Sequence, residues 1–69
     1  MVEVFKTDVT RRVEARSLVN FLLQHFPGSK INVDLDDCDK VLRVEGKNFH
    51  AENIIVLVKE KGFDCKVLQ

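Results

Sequence analysis

Two cysteines (Cys38 and Cys65), two histidines (His25 and His50) and the acidic run Asp34, Asp36, Asp37 and Asp39 are the side chains here that could ligate a metal or begin covalent chemistry. A thiolate is a nucleophile and a soft-metal ligand, whereas clustered carboxylates suit a hard cation. The acids lack the glycine and the distal Glu of an EF-hand loop, so they read as a solvated turn. Cys38 sits among them; the carboxylates disfavour its thiolate, and it reads as an incidental surface thiol. Cys65 lies in phase with Phe63 and Val67 and reads as a small buried hydrophobe. Two histidines without a third ligand make a poor zinc site. No glycine-rich phosphate loop and no nucleophile–base pairing is visible, so no catalytic residue is expected. No cofactor or metal is expected either, with Cys38 the one weak metal candidate.

The chain has 69 residues, room for one domain, read here as residues 1–69. Hydrophobic residues make up 45% and charged residues 32%, a globular balance rather than a disordered one. Zero net charge argues against nonspecific nucleic-acid binding. Met1 leads directly into an alternating Val2-Glu3-Val4-Phe5, unlike a secretory signal, and the apolar run Ile54 to Val58 is too short to span a bilayer. A cytoplasmic chain with reduced thiols is therefore expected, without a membrane partner.

Six segments must position these side chains. Val2 to Lys6 alternates as a strand. Thr7 to Thr10 is a polar loop in which Asp8 or Thr10 would cap the next helix. From Arg11 to Phe26, Ala15, Leu18, Val19, Leu22 and Phe26 recur at helical spacing, until Pro27-Gly28 stops the helix. Lys30 to Asp36 alternates with Ile31, Val33 and Leu35 on one side; Asp37 to Asp39 is the turn, and Lys40 to Glu45 returns with Leu42 and Val44 inward. His50 to Lys61 is β-branched at Ile54 to Val58, but an Asn48 cap, the Ala51-Glu52 start and the Lys61-Gly62 end favour a helix burying Ala51, Ile54, Ile55 and Val58. The last stretch alternates through Phe63, Cys65 and Val67.

Right-handed crossovers place strand three between strands one and two, with strand four on the free edge of strand one. This predicts an α+β, ferredoxin-like βαββαβ sandwich: a four-stranded antiparallel sheet with two helices on one face and polar alternates on the other. Strand two is then an exposed edge, its acids discouraging open-edge pairing. Three loops converge on one pole, which carries Asp8, Thr10, Arg11, Arg12, Glu14 and Lys61, the possible interaction surface. The histidines fall at the opposite pole. At the helix start, an Arg11–Glu14 surface pair is expected in preference to an anion held by Arg11, Arg12 and Lys61.

The order and spacing of Pro27-Gly28, Ile31-Asn32-Val33-Asp34-Leu35, Val41-Leu42-Arg43-Val44, Ala51-Glu52-Asn53-Ile54 and Lys61-Gly62-Phe63 give a chain that resembles the heavy-metal-associated domains of copper chaperones and copper-transporting ATPases. The resemblance covers nearly the whole chain and implies that family's fold. In that family a Met-Thr-Cys-x-x-Cys loop before helix one binds Cu(I) through two thiolates. Here Val9 and Thr10 take the Met and Thr positions, while Arg11 and Glu14 stand where the cysteines would be, and no Cys lies between Met1 and Ser29. The resemblance then implies a degenerate member without the copper ligands. The function expected is a small non-catalytic binding module whose partner is another protein. Metal binding around Cys38, or between two chains, is an alternative. A small-ligand regulatory domain, by analogy of fold alone, is another. Sequence does not set the oligomeric state.

Overall fold

The computed structural model describes residues 1–68 as β1 (Val2–Thr7), α1 (Arg12–His25), β2 (Lys30–Asp34), β3 (Val41–Glu45), α2 (Ala51–Glu60) and β4 (Cys65–Val67). The four strands form one sheet in the order β2-β3-β1-β4, and every pairing is antiparallel. The strand neighbours are those expected: β3 lies between β1 and β2, and β4 pairs only with β1.

Alternation decides which face is covered. Phe5 stands opposite Leu42 and Glu3 opposite Val44, and Phe5, Leu42 and Val44 are wholly buried. They share one core with Leu18 and Leu22 of α1 and Ile54 and Val58 of α2, so both helices lie against the same side of the sheet. Burying each such side chain contributes roughly 1.5–3 kcal/mol. The β-branched segment is helical as expected. Ile54 and Val58, four residues apart, bury one stripe, and Ala51 and Ile55 pack beside them. The other sheet face is open but not purely polar: Val2, Val4 and Val41 alternate there with Lys6, Arg43 and Glu45.

Boundaries differ from the sequence reading for local reasons. β1 runs one residue further, through Thr7. β2 ends at Asp34 rather than Asp36 because the Asp34 carboxylate accepts the Asp36 N–H at 3.0 Å, turning the chain early. The turn therefore spans 35–40 and closes on Lys40 in the left-handed region, φ 47°. β4 begins at Cys65, leaving Phe63 in the short irregular stretch before it. α1 starts at Arg12 with Arg11 as N-cap, not Asp8 or Thr10. His50, not Asn48, is the N-cap of α2; Asn48 instead takes φ 57° in the preceding turn. Gly28 follows α1 at φ 86°, a conformation that side chains with a Cβ disfavour. Phe49, in the loop before α2, is an unforeseen core residue at 2% exposure. Among the described residues, no helix is long and apolar enough to cross a membrane.

Candidate functional site at the three-loop pole

The expected convergence of three loops is built by hydrogen bonds from one stretch, residues 7–11. The Thr7 N–H donates to the Asp39 carbonyl at 3.1 Å. The Thr7 hydroxyl donates to the Lys40 carbonyl at 2.6 Å and accepts the Val9 N–H at 3.3 Å. These bonds tie the 35–40 turn to the loop before α1. On the other side, the Asp8 carboxylate accepts the Asp64 N–H at 2.8 Å, tying that loop to the segment after α2. Val9 is wholly buried and anchors the loop in the core. Thr7 is the one buried polar side chain among the described residues, and its place after the apolar Phe5 in strand phase is the signal that sequence reading missed.

The six expected pole residues are therefore not equivalent. Asp8 joins two loops instead of capping α1. Glu14 accepts the Arg11 backbone N–H at 3.1 Å. It thus closes the helix start on itself rather than forming the expected Arg11–Glu14 ion pair. That bond also places the pole's own carboxylate where an external anion would sit. Arg11 and Arg12 are exposed, as is Thr10. At 100° per residue, Arg12 lies on the flank of α1 opposite Glu14. Lys61 reaches across from the end of α2, its Nζ 5.1 Å from the centroid of the Phe21 ring, a cation–π distance.

Glu14 and Lys61 flank a groove that runs down α1. Its upper part, about 280 Å³, is lined by Val13, Glu14, Ser17, Lys61 and Phe63. Its lower part, about 460 Å³, shares Val13, Ser17 and Lys61 and continues along Arg16, Asn20, Phe21 and Gln24. Val13 is 61% exposed at the junction, a large apolar side chain in open solvent. The groove thus sets three apolar side chains, Val13, Phe21 and Phe63, among polar and charged ones, a mixture found in protein-binding patches.

The thiols separate as expected. Cys38 is exposed and Cys65 is buried, both unpaired. Burial pushes the Cys65 thiol up to about 11, with nearby Lys59 working against the rise. One carboxylate oxygen each of Asp37 and Asp39 and the Cys38 sulfur lie within 4.8 Å of one another. Much of that cluster is already used: Asp37 Oδ1 accepts the Asp39 N–H at 2.8 Å, and Asp39 Oδ1 is 3.7 Å from Lys6 Nζ. His25 packs edge-on against Phe21, ring centroids 4.9 Å apart, at the end of α1. His50 is exposed at the start of α2. A second cavity of about 420 Å³ lies beside the β1–β4 pair, with Lys6, Lys59 and Lys66 among its walls.

Comparison with family models, with curated proteins and with solved structures returns no match for the chain.

Proposed function

We propose that the chain is a non-catalytic protein-interaction module of ferredoxin-like architecture, resembling a heavy-metal-associated domain whose metal loop has become a self-capped helix start. The βαββαβ element order and a sheet with β3 between β1 and β2 support the architecture. The groove supports the activity: solvent-exposed Val13 shares it with Phe63, Glu14 and Lys61, beside the pole. A partner helix or loop with an apolar anchor and a rim of opposite charges would fit it. At the helix start, Glu14 holds the Arg11 N–H, and Arg11 and Glu14 stand where the two cysteines would be, which supports the loss of copper ligation.

The clustered Asp37, Cys38 and Asp39 ligand atoms favour a second reading, a metal site at the same pole. One experiment separates the two. The reduced protein is titrated with Cu(I) and, separately, Zn(II) while amide NMR shifts are followed. A photo-crosslinker at Ser17 then captures partners in cells. The interaction reading expects no saturable shift at stoichiometric metal, and a crosslinked protein that Val13→Asp abolishes. Saturable shifts at 37–39 that Cys38→Ser removes would overturn it in favour of metal binding.

A further inference from the structure

We propose that β2 is a self-association edge: two copies of this chain join their β2 strands antiparallel about Asn32, making one continuous sheet across the pair. The argument starts from the backbone. The Gly46 N–H donates to the Met1 carbonyl at 3.0 Å. In an antiparallel ladder this makes Glu3–Val44 and Phe5–Leu42 the hydrogen-bonded pairs of β1 and β3. Leu42 and Val44 thus turn their backbone groups to β1, and Val41, Arg43 and Glu45 turn theirs to β2, facing Asp34, Asn32 and Lys30. Ile31 and Val33 are left with N–H and C=O groups pointing out of the sheet edge, a template for another strand.

The strand sequence Lys30-Ile31-Asn32-Val33-Asp34 then chooses its own copy. With a two-fold axis at Asn32, Ile31 meets Val33 of the second copy and exchanges both backbone bonds with it. The symmetric pair does the same, giving four bonds. Lys30 meets Asp34 of the second copy, Asp34 meets its Lys30, and Asn32 meets Asn32. The charged pairs fall at the non-hydrogen-bonded positions, where side chains approach most closely. Lys30, Asn32 and Asp34 are all exposed on the open face. A strand that is charged at both ends is a poor template for an arbitrary partner. In this register its charges cancel against themselves, as a two-fold interface requires.

Packing points the same way. Ile31, Val33 and Leu35 are only partly buried against the core. On α1, Val19 and Leu23 lie one turn apart on the flank away from Phe21 and Lys61, and both are half-buried. The free edge therefore has an apolar shoulder on the helix side and matched charges on the open side. Neither belongs to the groove proposed above, so each proposal stands without the other.

The test is sedimentation equilibrium of the reduced full chain across concentrations up to about 1 mM, the range that still detects weak specific pairing. Wild type is expected to form a dimer that weakens as salt rises. Lys30→Asp and Asp34→Lys each place like charges opposite one another twice, and each is expected to weaken the dimer about tenfold or more. An equimolar mixture of the two variants restores pairing as a heterodimer, because a strand acidic at both ends then faces a strand basic at both ends. Asp36→Lys, opposite Gly28 in this register, leaves the dimer unchanged. All of these positions are exposed, and amide spectra check that each variant keeps the fold. A wild-type chain that stays monomeric throughout overturns the proposal. So does a dimer indifferent to either single charge reversal, or a mixture that fails to restore what both reversals break.

Discussion

Replacing Thr7 by valine keeps the side-chain volume and removes one oxygen, and that oxygen serves two bonds. Its hydroxyl donates to the Lys40 carbonyl at 2.6 Å and accepts the Val9 N–H at 3.3 Å. Val9 is wholly buried, so its N–H would lose its partner where water cannot replace it; such a loss costs about 1–3 kcal/mol. The Lys40 carbonyl is only part-buried and can turn to water, so its loss costs about 0.5–1 kcal/mol. The longer of the two bonds is the one to Val9, and the valine methyl adds some apolar burial. Together these give a net destabilisation of about 2 kcal/mol. For a domain this small that is a large share of a total near 3.5–10 kcal/mol, equivalent to a fall in Tm of roughly 8–16 °C. Urea unfolding followed by circular dichroism measures it, with the midpoint lowered and the slope unchanged. Thr7→Ser is the control, because it keeps the oxygen and loses only a methyl worth about 1 kcal/mol. If Thr7→Val proves no less stable than Thr7→Ser, the hydroxyl does not hold the pole together and the reasoning fails.

Cys65 gives a pH prediction of definite sign. Its thiol is raised from 9.0 to about 11 in the folded chain, so the unfolded chain gives up the proton first. Its contribution is therefore complete below pH 9 and declines as pH rises toward 11, by up to about 3 kcal/mol. Subtracting the stability profile of Cys65→Ala should isolate that slope, and identical slopes in the two proteins would count against it. A thiol reagent at neutral pH should label exposed Cys38 at once and Cys65 only as fast as the chain opens. Asp8→Ala frees the Asp64 amide from its 2.8 Å bond; it should cost only about 0.5–1 kcal/mol at this exposed position, yet speed hydrogen exchange at Asp64 specifically.

The parts of this fold legible in the sequence are those governed by periodicity. Alternation at Ile31, Val33, Leu42 and Val44, and helical spacing at Leu18, Leu22, Ile54 and Val58, place the core on the faces where it is found. The β-branched run at 54–58 resolves as helix because its termini carry helical signals, which outweigh a weak intrinsic strand preference. What sequence does not reveal is the choice among equally capable polar groups. Asp8, Thr10 and Asn48 are all good caps, yet Asp8 is drawn away by an amide 56 residues further on, and the N-caps are Arg11 and His50. Phe49 is buried by neighbours distant in the chain, so local pattern gives no warning, whereas Thr7 follows Phe5 in strand phase but its polar side chain disguises the burial. At the pole, sequence pointed to the charged residues and not to the groove's Val13, Ser17 and Phe21, and the division of the former into structural members (Asp8, Glu14) and exposed ones (Arg11, Arg12, Lys61) depends on backbone bonds that only the folded chain forms.

β1 comes first among the strands and sits in the middle of the sheet, with Phe5 opposite Leu42 on one side and Val67 on the other. Those partners lie 37 and 62 residues away (42 − 5 and 67 − 5). Since closure entropy grows only logarithmically, the second pairing costs just ~0.5 kcal/mol more than the first. Remove β1 and the sheet falls into a hairpin and a three-residue orphan, neither able to persist in water. The molecule accordingly has no sub-assembly at which to pause. It gains or loses its structure as one unit, and damage to β1 registers everywhere at once.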